Sequence, residues 1–163
     1  MGRAGTPPLR PAAPSALALP LDVRPALPGD ADDVARLLDQ LGYPCDTAEA
    51  AQRIHVLHED RQQVLLLARR DGRACGLLGL HFLYYLPLGA LTCRITALVV
   101  DAEARGGGIG RQLLDEAVQR ARQAGCARLE LTTALHRTEA HAFYRACGFG
   151  ESSLRFTRAL GET

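Results

Sequence analysis

At 163 residues with a formal charge of +1, the chain has material for one domain with a substantial core and too little for two ordinary ones. Its basic residues are interspersed with acidic ones, which gives no broad positive field for nucleic acid or an anionic membrane, and no apolar run approaches the ~18 residues a membrane span requires. The absence of lysine excludes Schiff-base chemistry and the phosphate-binding lysine of a P-loop.

Residues 1–20 read as a proline- and alanine-rich extension, because the prolines interrupt the apolar stretch that an export signal needs. The folded domain is expected over 21–163. Leu21 to Ala26 alternates like a short strand, and Pro28-Gly29-Asp30 supplies a turn with Asp30 as the N-cap of a helix from about Ala31 to Leu41. Val34, Leu37, Leu38 and Leu41 give that helix one apolar face, and Gly42 with Pro44 ends it. Thr47 is expected to cap a second helix to about His58, with Ala51, Ile54 and Leu57 turned inward.

Two strands flank Asp71-Gly72, a dipeptide whose tolerance of positive φ suits a tight hairpin. After a turn at Pro87 to Gly89, a third strand runs to Val100 and into a glycine cluster. From Ile109 to Ala124, Leu113, Leu114, Ala117, Val118 and Ala121 form a helical stripe, with Glu116 and Arg120 able to pair outside it. The segment Ala127 to Ala134 reads as a strand parallel to the one before the glycines, completing a β-α-β unit. A short helix over Thr138 to Cys147 and a last strand near Ser153 to Leu160 follow. The fold class is α/β, a single domain with a mixed, mostly antiparallel sheet flanked by helices. Five scattered cysteines, without any C-x-x-C, suit a reducing, cytoplasmic setting.

The glycine cluster carries the chemistry. A helix N-terminus presents unpaired N–H groups and partial positive charge, and glycines let a phosphate reach the backbone. Arg111 stands where both the dinucleotide fingerprint and the P-loop require glycine. The pattern that fits is [Q/R]-x-x-G-x-[G/A], filled by Arg105, Gly106, Gly107, Gly108, Ile109 and Gly110. It resembles the pyrophosphate loop of the GNAT superfamily of N-acetyltransferases. Downstream, Ala140, Phe143, Tyr144, Gly148 and Phe149 resemble that family's A-x-x-F-Y-x-x-x-G-F.

The resemblance implies the acyl-CoA N-acyltransferase fold, with acetyl-CoA as cosubstrate and a small-molecule primary amine as acceptor. Backbone groups of Leu98, Val99 and Val100 would pair with the pantetheine arm, and the pyrophosphate would rest on the N–H groups from Gly106 through Arg111, helped by the Arg105 and Arg111 guanidinium groups. Arg137, Ala140, Phe143 and Tyr144 complete the implied cofactor contacts, although relatives often have asparagine where this chain has Arg137. Tyr144 stands at the position of the acid that protonates the departing thiolate. Many relatives keep a glutamate before the loop, where this chain has Thr96 and Ala97. His81, Glu130 or a water chain is therefore left as the base.

A further resemblance, through the R-x-x-A-H-x-F-Y arrangement, is to the aminoalkylphosphonate N-acetyltransferase branch. An anionic acceptor of that kind calls for arginine, with Arg94, Arg137 and Arg155 as candidates. His55 with His58, and His136 with His141, lack a nearby third ligand, so no metal site is expected. Cys147 lacks the surroundings of an acyl-cysteine nucleophile. The family's habits imply a homodimer joined through the final strand. The competing reading is a catalytically weak or inactive CoA-binding regulatory module.

Overall fold

The computed structural model describes residues 20–161, so the expected extension, Pro20 apart, lies outside the described residues. Five strands form one sheet in chain order: β1 Asp22–Pro25, β2 Gln63–Arg70, β3 Arg73–Tyr85, β4 Ala90–Val100 and β5 Arg128–Leu131. The first four run antiparallel to their neighbours, and β5 is parallel to β4. Helices α1 (Ala31–Leu41) and α2 (Thr47–Glu59) lie before β2, α3 (Ile109–Gln123) joins β4 to β5, and α4 (Thr138–Ala146) follows β5.

Alternation along the strands divides the core in two. Leu67 and Leu77 pack with Leu37 and Ile54 under α1 and α2. Their neighbours Leu66 and Leu78 point the other way, with Leu80 and Leu113, under α3. These leucines are at most 1% exposed, and full burial of such a side chain stabilises by about 1.5 to 3 kcal/mol. At the hairpin, Asp71 and Gly72 both take positive φ, 55° and 74°, as a two-residue turn of the favoured twist requires.

Two of the expected helix caps are corrected. Asp30 occupies the N-cap position of α1 without capping it. Its carboxylate instead accepts from both terminal nitrogens of Arg24, at 2.8 and 2.9 Å, and from the Leu27 N–H at 2.7 Å. The Arg24 hydrogen bonds, aided by Leu27 and opposed by burial, hold this carboxyl below its ordinary range. For α2 the cap is Asp46, which accepts from the Glu49 N–H while the Glu49 carboxylate accepts from the Asp46 N–H. That reciprocal pairing satisfies two otherwise orphaned donors. Thr47 begins the helix, and its hydroxyl donates to Asp32 at 2.6 Å, tying α2 to α1.

The feature that shapes the site is a bulge in β4. Gly79 pairs with Ala97 and Leu80 with Ile95, leaving Thr96 as an extra residue. Pairing between β4 and β5 covers Thr92–Ile95 against Arg128–Leu131. Beyond the bulge the two strands part. A bulge bends its strand and raises the local twist, and here it ends a parallel ladder that was expected to run to Ala134. The final strand expected over Ser153 to Leu160 is also absent: residues 151–161 have no regular structure, and Leu154, Phe156 and Leu160 are exposed.

Candidate functional site

Where β4 and β5 part, a cavity of about 720 Å³ opens. Residues 95–98 line one wall and 131–134 the other, while Tyr144 from α4 closes one end and Leu38, Tyr43 and Arg53 from the α1 and α2 side close the other. From Ala97 onward, β4 is hydrogen-bonded to β3 along one edge, and its other edge has no strand beside it among the described residues. A strand with one free edge offers alternating N–H and C=O groups to an extended ligand. Thr133, on the opposite wall, has a buried hydroxyl oxygen with no hydrogen-bond partner among the described residues.

The glycine loop begins from a fixed point. The Asp101 N–H donates to the Cys75 carbonyl at 2.8 Å. Asp101 is 2% exposed, and its carboxylate accepts from the Arg36 guanidinium and from the Glu103 N–H. Burial pushes this carboxyl up, but the Glu103 N–H and Arg36 outweigh burial and hold it below the ordinary carboxylate range. Gln40 adds a clamp by accepting from the Ala102 N–H at 2.8 Å. Both Arg36 and Gln40 come from α1, so the helix that helps to wall the cavity also anchors the entry to the loop.

Gly106 and Gly108 then take φ of 84° and 76°, a region that favours glycine. Gly108 is the N-cap of α3 and has no side chain to satisfy the first N–H groups. Those donors and the positive end of the helix are left for an anion. Gly110 has a different role: a Cβ there would lie 3.2 Å from the Phe143 ring. Its bareness lets α4 pack against the first turn of α3. Arg105 and Arg111 are exposed and have no carboxylate within ion-pair distance among the described residues.

Tyr144 is half-buried and borders the cavity. Its ring lies 5.5 Å from Phe143 and edge-on to Phe149 at 5.9 Å, a geometry favoured by aromatic quadrupoles. Burial raises the phenol above its ordinary pKa, opposed by the charge of Arg137, so it holds its proton at neutral pH. Arg137 is the residue before α4, and Ala140 is half-buried on that helix. Leu98 and Tyr144 both line the cavity, and β4 runs on from Leu98 through Val100 toward the loop and α3.

His81 and Glu130 are placed elsewhere, and neither lines the cavity. His81 stands opposite Gln63 and Arg94 in the sheet. Glu130 accepts from the Arg94 Nε and Nη2 at 2.9 and 2.7 Å and is 3.1 Å from Arg128. Arg94 is thus spent on a carboxylate, whereas Arg137 and Arg155 line the cavity. Arg53 was missed by sequence reasoning. The available signal was its helical spacing of four from Leu57, another cavity residue. Nε2 of His58 and of His141 is hydrogen-bonded to the carbonyl of Ala26 and of Ala134, respectively. Among the described residues, no group of three His, Cys, Asp or Glu side chains is arranged to hold a metal ion.

A slot between parted strands, with an open strand edge that leads in sequence to a glycine-lined helix N-terminus, suits an extended ligand with a phosphate-bearing end. Residues 32–149 match the acetyltransferase (GNAT) family, and the chain belongs to that family. It is 43% identical over 94 residues to the aminoalkylphosphonate N-acetyltransferase of Salmonella typhimurium, covering 58% of this chain and 61% of that relative's length. It is also 30% identical over 134 residues to the aminoglycoside N(6')-acetyltransferase type 1 of Stenotrophomonas maltophilia, covering 80% of this chain and 86% of that one. Among solved structures, a transcriptional regulator from Bacillus halodurans C-125 shares the fold with a TM-score of 0.79 at 26% identity, over 86% of this chain and 99% of the other.

Proposed function

We propose that the chain transfers acetyl directly from acetyl-CoA to the primary amine of a small anionic molecule, with an aminoalkylphosphonate as the fitting chemistry. The observation that carries the reading is the charge of the cavity wall. Arg53, Arg137, Arg155 and His136 line it, and among the described residues the lining contains no Asp or Glu. Such a site favours an acceptor with an acidic group and disfavours a polycation such as an aminoglycoside or polyamine, whose extra ammonium groups would meet arginines with no carboxylate to offset them.

The residues divide the work. Bound acetyl-CoA supplies an activated acetyl thioester. The free edge of β4 at Leu98, Val99 and Val100 would hold its extended arm, and the N–H groups from Gly106 through Arg111, with Arg105, would bind its pyrophosphate. Arg137, Ala140 and Phe143 would complete its contacts. Tyr144, kept protonated by burial, donates to the departing thiolate. With His81 and Glu130 outside the cavity, the acceptor's proton leaves through water. Direct transfer requires no acyl-cysteine, and incubation with acetyl-CoA alone followed by intact-mass measurement should show no stoichiometric acetyl adduct.

The deciding assay is thiol release from acetyl-CoA with aminoalkylphosphonates, amino acids, polyamines and aminoglycosides. The expected order puts phosphonates first and polycations last, and faster turnover of polycations would overturn the acceptor assignment. Thr96 and Ala97 in place of a glutamate favour a second reading, a CoA-binding regulatory module; acetyl-CoA binding with no turnover across the panel would select it. We assign the protein to the cytoplasm, a reading supported by its free cysteines and by the absence of a described helix long and apolar enough to cross a membrane. Exposed Leu154, Phe156 and Leu160 support a homodimer through the C-terminal segment, and a monomer mass in light scattering at micromolar concentration would remove it.

A further inference from the structure

The three consecutive glycines of the loop do not have the same reason to be glycine. Gly106 and Gly108 have positive φ, and a Cβ on either would meet nothing within 4 Å. Their requirement is torsional. Gly107 is outside the positive-φ region, and its requirement is a neighbour: a Cβ there would lie 3.3 Å from Nη1 of Arg70.

Arg70 is the last residue of β2, immediately before the hairpin. On either side of it, Arg69 lies near Asp30 and Asp33, and Arg73 near Asp101 and Glu103. Arg70 itself has no carboxylate within ion-pair distance among the described residues, and its buried Nε has no hydrogen-bond partner among them. A half-buried guanidinium with a buried donor and no counter-ion costs stability. It shares a small cleft with Asp101 and Glu103, yet those carboxylates are engaged by Arg36 and Arg73.

We propose that Arg70 is a positioning residue of the phosphate loop: its guanidinium, packed against the bare back of Gly107, supports the loop and adds fixed positive charge behind the N–H groups that face the pyrophosphate. This rests on the reading of the loop as the acetyl-CoA site. The compensating negative charge arrives with the ligand, which explains why a cation is left unpaired beside two carboxylates. Gly107 is the surface through which it acts.

The test compares Arg70→Met, which retains the length of the side chain without charge, with Arg70→Lys, which retains charge. For wild type and each variant, calorimetry gives the CoA affinity, and steady-state kinetics gives kcat and KM for acetyl-CoA and for acetyl-pantetheine, which has the same thioester arm without the pyrophosphate. Arg70→Met should weaken CoA binding about tenfold, raise the KM for acetyl-CoA, leave kcat at saturation unchanged and leave kcat/KM for acetyl-pantetheine unchanged, with a shallower salt dependence. Arg70→Lys should recover most of the loss. Gly107→Ala, which makes the guanidinium tip give way by a few tenths of an ångström, should produce a smaller loss in the same direction and add nothing to Arg70→Met. Equal losses with both thioesters, or unchanged CoA affinity in a folded Arg70→Met protein, would overturn the inference alone. Failure of the wild-type chain to bind CoA at all would overturn the loop assignment together with it.

Discussion

The two halves of β4 are built from one continuous run of sequence and serve opposite purposes. From Thr92 to Ile95 the strand is paired on both edges, and its charge is neutralised, with Arg94 held by Glu130. From Ala97 to Val100 it is paired on one edge, and the cations near the open edge, Arg137 and Arg155, have no carboxylate within ion-pair distance among the described residues. One inserted residue, Thr96, separates them. In the closed half, both backbone edges and Arg94 find partners within the protein, although the buried Thr92 hydroxyl has none among the described residues. In the open half, backbone edge, arginines and the Thr133 hydroxyl are left for something that binds. An unpaired backbone edge and cations without carboxylates, gathered on one side of a bulge, are the physical mark of a ligand site.

The largest expected effect lies at the end of the open half. Tyr144→Phe keeps the ring and its packing while removing the proton donor, so kcat with a saturating amine should fall ~10²- to 10⁴-fold, roughly 3 to 5 kcal/mol of barrier, with acetyl-CoA affinity little changed. Single-turnover rates separate chemistry from product release. A wild-type single-turnover rate in the variant would remove Tyr144 as the acid and leave solvent in that role.

Next in size is Gly108→Asp, which places a negative charge and a side chain at the N-cap of α3. Loss of two hydrogen bonds to charged oxygens, at the lower end of ~1.5 to 3 kcal/mol for each, should cost about 3 kcal/mol of acetyl-CoA affinity. Calorimetry on the folded variant measures it, and unchanged affinity would show that the loop does not receive the pyrophosphate.

The closed half and the helices were legible because their signals are local and redundant. Apolar spacing at Val34, Leu37, Leu38 and Leu41 located α1 to its observed ends, and Asp71-Gly72 located the hairpin. The bulge was not legible: Thr96 is one β-branched residue among several, and only register against β3 reveals it as an extra. The missing final strand shows the converse. Leu154, Phe156 and Leu160 have an acceptable pattern for one face, but a pattern specifies a face and leaves the hydrogen-bonding partner unspecified. The glycine motif identified the loop as a unit, whereas the separate reasons for Gly107 and Gly110 come from Arg70 and Phe143, neighbours brought in from distant sequence. Arg53 and Arg70 look like any other arginine until the ion pairs of Arg69, Arg73 and Arg94 are seen.

A smaller effect tests how the halves are separated. A Cβ on Gly79 would lie 2.6 Å from Oγ1 of Thr96, so Gly79→Ala should force the bulge to shift and cost about 1 to 3 kcal/mol of stability. Thr96→Ala removes the obstructing oxygen, and the double variant should regain part of the loss. Denaturant unfolding of the full cycle gives the coupling, which for residues in contact reaches about 0.5 to 3 kcal/mol. Strict additivity would mean that the bulge and Gly79 are independent.

The smallest effect is expected in the closed half. Arg94 is 43% exposed at its side chain and Glu130 is 27% exposed, so solvent screens the pair, and Arg94→Met should cost only ~0 to 1 kcal/mol in denaturant unfolding. Glu130 would still have Arg128 at 3.1 Å, so no carboxylate is stranded. Catalysis should be unaffected: acetyl-CoA affinity, and kcat/KM with an anionic amine, should match wild type. Arg137→Met, one bulge away along the cavity, should lower kcat/KM for the same amine while leaving stability nearly unchanged. The two arginines then separate stability from acceptor recognition in opposite directions. A loss of anionic-amine turnover in Arg94→Met equal to that in Arg137→Met would show that the charge of the closed half also reaches the acceptor, and that Thr96 does not divide the strand by function.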